Sequence, residues 1–450
     1  MVKLMSSFRA LKSIKALVVG DFALDTYIIG SVGRISPEAP VPVLHVKEKK
    51  NIPGMAGNVA LNLISLGASV KVLGRVGIDQ EGKLLTSYLQ DHGVDTNAMV
   101  VEQGYDTPVK TRMIASAQQL LRVDFETINQ LSEKTETLLI HSLPFLLQDV
   151  DVIAISDYKK GFLTSKLISA IICEANSQKK IVIVDPKGND FSKYLNCTLI
   201  KPNLQEAYLA ANCERGVDLN IVAKTLLEQS LAKYVLITRS EEGMTLFDRE
   251  QTRKDFRVES REVKDVTGAG DTVLAMMVMG MANGLCPSIC TQLANVAASL
   301  AVQKMGCARV TLAQVAEQLL SLDQDNKIFM DEHLFALNQV MQDKTFTVLG
   351  LDANQMMTIE LFQCIKQLRG KESHHRLLIY LSKTERNSSL IDLLASLHEV
   401  SFIVLSSDNL SQLFKKMLPK DIFYMQEDKL SEIKNPSDLL DQMLLTQVRS

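Results

Sequence analysis

Residues 265–272 read DVTGAGDT, and the stretch VLAMMVMGMANG that follows at 273–284 is almost wholly apolar and small. The pattern predicts a buried helix opening near Gly268, with Gly270 in its first turn and Asp271 next to it. Each glycine in a helix costs roughly 1 kcal/mol relative to alanine, so two in one turn need a reason. The first turn of a helix carries unpaired N–H groups and the positive end of the dipole. Without Cβ atoms in the way, those groups approach an anion as closely as a phosphate requires. A carboxylate on the same turn is placed to take the proton of a hydroxyl that attacks phosphorus. The competing reading is a capped helix, with Thr267 as N-cap and Asp271 favourable to the dipole. That reading explains the threonine and the aspartate but not the glycines.

Working outward, short runs of Val, Ile and Leu recur at residues 15–22, 69–77, 151–157, 180–188, 198–203 and 233–240. Near-continuous apolar runs of this kind are strands covered on both faces. Helical patterns lie between them, as at 56–68, 132–148 and 164–178, and this alternation predicts an α/β fold around a mostly parallel sheet. Residues 40–49 and 107–125 break the rhythm. They are strand-like without an intervening helix, and their period-2 polarity predicts a small antiparallel flap beside the main sheet. A polar stretch, DQDNK at 323–327, then precedes a second strand–helix series with strands expected at 345–352, 374–382, 399–407 and 420–426.

At 450 residues the chain exceeds one ordinary core. Hydrophobic residues make up 46% and charged residues 22%, the composition of a globular protein. A formal net charge of −3 gives no basic field for nucleic acid. The seven cysteines form no C-x-x-C pair and no Cys/His cluster, which points to reduced thiols and the cytoplasm. No stretch approaches the roughly eighteen uncharged apolar residues of a membrane span, and the N-terminus has no secretory pattern.

The octapeptide at 265–272 resembles the C-terminal signature of the ribokinase-like, PfkB-type carbohydrate kinases at every position. PGMAGNVALNLISLGASVKVLGRVGID (53–79) resembles that family's glycine-rich sugar-binding segment. VVGDFALDTYIIGSVGRISPEAPVPVL (18–44), QQLLRVDFE (118–126), ISDYKKGFL (155–163), VDPKG (184–188), KPNLQEA (201–207) and ITRSEEGMTLF (237–247) together resemble the heptose 7-phosphate kinase domain of the bifunctional enzymes of ADP-heptose synthesis. The resemblance covers about residues 10–320. It implies a ribokinase-like three-layer sandwich with a β-flap over residues 1–322; the polar stretch then reads as a connector at 323–330 and the second strand–helix series as a smaller Rossmann-like α/β domain over 331–450.

The same resemblance implies roles. Asp271 is the expected catalytic base, with the N–H groups of Gly268, Ala269 and Gly270 stabilising the transferring phosphoryl charge. Asp25, expected on the loop after the first strand, would hold sugar hydroxyls with Gly54 and Asn58; a turn carboxylate is the plainer alternative for Asp25. Asn203 and Glu206 would orient the Mg²⁺–phosphate assembly, Glu206 through water, although an N-cap with an acid three residues on looks identical locally. Thr238, Arg239, Gly243 and Asn295 are the expected ATP contacts. Arg122, Lys187 and Lys160 are candidates for the substrate's own phosphate, and equally for exposed surface charges. The implied cofactors are ATP and Mg²⁺, with room for a monovalent cation, and the implied assembly is a homodimer. The implied reaction is phosphorylation of D-glycero-β-D-manno-heptose 7-phosphate at its anomeric hydroxyl, giving the 1,7-bisphosphate for ADP-heptose and the lipopolysaccharide core. Another PfkB-type sugar kinase and a non-catalytic sugar-binding regulator are the alternatives. One departure stands out: the family usually carries Gly-Gly where this chain has Gly54-Met55.

In the bifunctional relatives the second domain is a nucleotidyltransferase whose first strand runs into an H-x-G-H motif. The corresponding stretch here, TFTVLGLDANQMMTIELFQCIKQL (345–368), contains no histidine. His374 and His375 follow the helix, adjacent to each other, and do not reproduce that spacing. The expectation is a degenerate transferase domain; an unrelated α/β module is the alternative.

Overall fold

The computed structural model describes the chain except residues 1–3, 5–6, 9–10, 116–117, 251, 259–262, 305, 322–326, 331–333, 342–344, 352–354, 370–374, 383–387, 407–418, 427–428, 436–437 and 440–450. Two compact units emerge: Leu11–Thr311, and Met1–Ala10 with Leu312–Ser450. The division falls ahead of the helix Leu312–Ser321 rather than after it, because that helix packs on Leu334–Met341 of the second unit. The first half of the expected connector, 323–326, lies outside the described residues. Further along it, Ile328–Phe329 is already a strand of the second unit's sheet.

The first unit is built on an eight-stranded sheet. In spatial order its strands are Arg253–Phe256, Met244–Asp248, Tyr234–Thr238, Leu199–Ile200, Ile181–Asp185, Val152–Ser156, Lys15–Gly20 and Ser69–Leu73. The six from Tyr234–Thr238 onward run parallel, and the first two add antiparallel at the edge. Leu17, Val19, Ile153, Ile155, Val182 and Val184 pack with the helices Glu133–Gln148, Ser165–Ser177 and Leu219–Ser230. Helices Ala56–Ser65, Ala269–Ala282 and Pro287–Ala301 contact the sheet as well. Burial on both faces is why these strands lack polar alternation. Local caps set the helix starts: Ser132 accepts from the Thr135 N–H and Thr164 from the Leu167 N–H.

The expected strand at 69–77 is in fact two. It breaks at Gly74, where a Cβ would stand 2.3 Å from the Phe22 ring, and Arg75–Gly77 pairs with Val100–Glu102 in a separate ribbon. The flap also differs from expectation. It has four strands, Pro42–Met55, Phe22–Ile35, Val109–Ala115 and Gln118–Phe125, and the Phe22–Ile35/Val109–Ala115 pairing is parallel. Asp25 therefore lies inside a strand, paired with Ile52 and Lys110, not on a loop. A single residue, Asp21, separates this strand from the first, so the chain changes sheets without a loop.

The second unit is a six-stranded sheet in the order Ile328–Phe329, Phe402–Ser406, Arg376–Ser382, Phe346–Leu351, Asp421–Gln426 and Lys429–Glu432, parallel except at the last pair. Helix Ile359–Leu368, capped by Thr358, covers one face of it. This is the smaller Rossmann-like domain expected from the sequence.

Candidate active site

Parallel α/β sheets place ligands outside the carboxyl ends of their strands. In the first unit those ends carry Asp21, Asp157, Asp185 and Lys201, and the start of helix Ala269–Ala282 completes the cluster. Gly268 is its N-cap, with φ of 79°, a conformation that favours glycine. A Cβ there would also stand 2.7 Å from Nδ2 of Asn58. Gly270 is different: the nearest atom to its would-be Cβ is Nζ of Lys201 at 3.7 Å, so the bare backbone clears space rather than avoiding a clash. Thr267 is not the cap. Its N–H and hydroxyl both donate to Oδ1 of Asp265, whose Oδ2 accepts from the Gly306 N–H. The Ala269 N–H is taken by the Val266 carbonyl at 3.2 Å, which leaves those of Gly268 and Gly270 as the candidates for an anion.

Asp271 is 5% exposed, and each of its oxygens accepts a hydrogen bond. Nδ2 of Asn58 donates to Oδ2 at 2.7 Å and the Tyr158 hydroxyl to Oδ1 at 3.0 Å. Burial pushes its pKa up to about 7, with Asp185 adding to the rise, while Asn58, Tyr158 and Lys201 oppose it. Lys201 is buried against Asp185 at 2.9 Å, a fixed cation beside the glycine turn.

Asp25 faces this turn from the flap. Its Oδ1 accepts from Nη1 of Arg112 at 2.7 Å, and its Oδ2 lies 3.4 Å from Sγ of Cys307. A Cβ on Gly54 would stand 2.5 Å from that Oδ2, so any larger residue would displace the carboxylate that lies across the neighbouring strand. Met55, next in the chain, holds φ of 53° and ψ of −129°. A side chain in that region costs on the order of 1–3 kcal/mol, which explains why a glycine suits this position; burial of the thioether offsets part of it.

The remaining expected residues fall into two groups. Asn203 and Glu206 form a complete capping box: Asn203 Oδ1 accepts the Glu206 N–H and Glu206 Oε2 accepts the Asn203 N–H. Glu206 Oε1 also accepts from Lys187 at 2.6 Å, so Lys187 sits with Glu206 and not with Asp25. Thr238 bridges to Asn203. Arg239 pairs with Glu242 and Asp255. Gly243 and Asn295 meet at one place: a Cβ on Gly243 would strike the Phe256 carbonyl and Arg257, and Asn295 Nδ2 donates to the Arg257 carbonyl at 2.8 Å.

On the flap, strand register puts Asp25, Lys110, Arg112 and Arg122 on one face. Arg122 is half exposed and bound to Asp124; Lys110 holds Asp124 and Glu126, and Lys160 is paired with Glu126. A cavity of about 610 Å³ lies behind the flap, lined from the opposite face by Leu24, Thr26 and Ile28. Asn58 stands beside Asp271, donating one amide N–H to its Oδ2, while its amide oxygen accepts from Asn62. Arg112, Lys201 and Tyr158 were not foreseen. Period-2 spacing in VKTRMIA would have found Arg112 once Asp25 was assigned to a strand. Among the described residues no group of His, Cys, Asp and Glu gathers to hold a metal directly.

A glycine-opened helix start with a buried carboxylate, a fixed lysine and a β-flap over the strand ends define a ribokinase-like phosphotransferase. The chain belongs to the pfkB family of carbohydrate kinases, whose model matches residues 14–313. It is a sugar kinase. It is 42% identical over 327 residues, 72% of this chain and 67% of the relative, to the bifunctional protein HldE of Trichlorobacter lovleyi. Against the protein of the same name from Helicobacter hepaticus it is 38% identical over 389 residues, 80% of each chain. Among solved structures it resembles Escherichia coli phosphofructokinase-2 in complex with potassium (TM-score 0.57, 22% identity, 69% of this chain and 99% of that one). It also resembles Arabidopsis thaliana ribokinase complexed with ribose and ATP (TM-score 0.53, 19% identity, 68% and 99%).

Proposed function

We propose that this kinase transfers the γ-phosphoryl group of ATP to the anomeric hydroxyl of D-glycero-β-D-manno-heptose 7-phosphate, giving the 1,7-bisphosphate and ADP. The observation that carries the chemistry is Asp271, buried at the helix start with each oxygen accepting a hydrogen bond. The sugar hydroxyl oxygen attacks the γ-phosphorus, its proton passes to the Asp271 carboxylate, and the bond to the ADP oxygen breaks. The N–H groups of Gly268 and Gly270, with Lys201, face the charge that develops. Asp25, aligned by Arg112, takes sugar hydroxyls. Lys110, Arg112 and Arg122 on the same flap face suit a phosphate on the far end of the sugar; Lys187 is reassigned to the nucleotide side. Thr238, Arg239, Gly243 and Asn295 would hold ATP.

Mg²⁺ neutralises phosphate charge when bound, and Glu206, whose oxygens each hold one donor, keeps lone pairs for metal-bound water. A monovalent cation, a homodimer and a cytoplasmic location belong to the same reading; among the described residues no helix is long and apolar enough to cross a membrane. The test is ADP release across heptose 7-phosphate, fructose 6-phosphate and ribose. Preference for either of the last two sugars would replace the heptose assignment, and sugar binding without ADP release would support the regulator.

We infer further that the second unit is a degenerate nucleotidyltransferase. The Helicobacter alignment spans 80% of the chain and so reaches beyond Thr311. Asp352 and Asn354 of the loop after the strand Phe346–Leu351 lie outside the described residues. His374 also lies outside the described residues, and His375 is buried against the Thr347 hydroxyl at 2.9 Å. Heptose 1-phosphate and ATP, with pyrophosphatase present, should yield no ADP-heptose by mass; its appearance at catalytic rates overturns this part.

A further inference from the structure

The oxygens of Asp271 are held by two donors of different kinds. Asn58 is fixed on helix Ala56–Ser65, its own amide oxygen accepting from Asn62 at 3.2 Å. Tyr158 stands on a turn just beyond the strand Val152–Ser156, and the backbone there is clamped. Asp21 Oδ2 accepts the N–H groups of Tyr158 at 2.9 Å and Lys160 at 3.0 Å. Asp157 Oδ1 accepts the Lys159 N–H at 2.7 Å, and Lys159 takes a positive φ of 58° to allow it. Three residues thus fix the direction from which one phenol hydroxyl meets the carboxylate.

We propose that Tyr158 is a positioning residue that holds the Asp271 carboxylate ionised and aimed, and thereby sets the acid limit of turnover. The inference rests on Asp271 being the base. A phenol donating to a carboxylate stabilises the charged form, so less acid-sensitive turnover follows from its presence. Burial and the facing carboxylate push the Tyr158 hydroxyl well above its ordinary range, so it stays a donor across neutral pH. The other groups that act on Asp271 are Asn58 from its helix, and Asp185 and Lys201 from the strand ends, with opposite signs. The Cys307 thiol, from the loop after helix Pro287–Ala301, is driven up by burial and by Asp25 and Asp271, and so stays neutral. None of these contacts the Oδ1 that Tyr158 occupies, by any hydrogen bond among the described residues.

The experiment is the pH profile of kcat/KM for the full-length protein, its Tyr158→Phe variant, a form carrying 3-fluorotyrosine at position 158, and Asp271→Asn. Phenylalanine keeps the ring and removes the donor, so the acid limb should move up by about one pH unit, with most of the rate recovered at alkaline pH. Fluorination makes the phenol a better donor and should move the limb down. A uniform loss with the limb unmoved in either form overturns the proposal and leaves Tyr158 a packing residue. If Tyr158→Phe does not fold, the fluorinated form alone decides. Near-normal turnover in Asp271→Asn sinks the base assignment itself, a result distinct from an unmoved limb in a system where Asp271→Asn is inactive.

Discussion

The two units are built alike and equipped differently. Each is a parallel sheet with helices against it and a crevice expected at the carboxyl ends of its strands. In the first unit those ends carry Asp21, Asp157, Asp185 and Lys201, all of them in hydrogen bonds or ion pairs that leave a charged, partly desolvated floor. In the second, the buried polar side chains among the described residues are Gln318, Thr347, Gln355 and His375, all of them uncharged or a histidine, and Thr347 and His375 bond each other. The loop after the strand Phe346–Leu351 presents Met356, 74% exposed, where a triphosphate site would need donors. Architecture is shared; what separates the units among the described residues is buried charge, with Asp21, Asp157 and Lys201 buried at strand ends of the first and no buried Asp, Glu, Lys or Arg in the second.

The sharpest way to test that contrast is Asp271→Asn. The substitution keeps shape and both neighbours but removes the proton acceptor. Turnover should fall roughly 10²–10⁴-fold, with ATP affinity nearly intact by equilibrium binding. A variant that keeps more than about a tenth of wild-type turnover, outside that range, removes the charged floor's claim to be the chemical centre.

Gly54→Ala should do less. The added Cβ would stand 2.5 Å from Asp25 Oδ2, so the carboxylate must turn away from Arg112 or the strands must part. Misplacing a substrate-holding group by about an ångström costs on the order of 10²-fold, and the loss should appear in kcat/KM for the sugar with KM for ATP little changed. Equal losses for both substrates would place Gly54 in the fold rather than in the site.

A third effect is in stability. The folded pKa of Asp271, about 7, exceeds its ordinary 3.8, so the folded protein keeps a proton that the unfolded chain releases between these values. Wild type therefore loses stability as pH rises from about 4 to about 7, and the loss is complete above that. In the Asp271→Asn variant this position has no proton to lose. The variant should melt higher than wild type at pH 8 by an amount worth up to a few kcal/mol, and the gap should close as pH falls toward 4. A gap independent of pH would mean that the buried charge is not what it costs to keep the site.

These sites were not equally legible. The turn at Gly268 could be read because glycine and aspartate at a helix start are unusual in any other role. The family resemblance found Asp25 and Gly54, but their juxtaposition was hidden: the strand Phe22–Ile35 begins one residue after the previous strand, so no turn signal marked it. Arg112 followed from that same strand and was lost with it. Lys201 and Tyr158 stand alone at strand ends, where a single lysine or tyrosine in sequence carries no spacing to read. Asn203 and Glu206 were legible as a cap, and the cap is present; the metal-orienting role proposed for them is one that local geometry does not separate from it.

The smallest expected effect lies in the second unit. If His375 is structural, its partner is Thr347, and His375→Ala leaves that buried hydroxyl unpaired beside a small cavity. The cost should be about 1–3 kcal/mol to the second unit, seen as a lower transition for that unit in a denaturant titration. Kinase turnover should not change, because Asp21, Asp157, Asp185, Lys201 and Asp271 all belong to the first unit. His375→Gln keeps an acceptor and a donor at similar reach and should recover part of the lost stability. A fall in ADP release with the fold intact would show that this histidine acts on a phosphate after all. That result would erase the contrast between a unit with buried charge at its strand ends and one whose described buried side chains include no carboxylate, lysine or arginine.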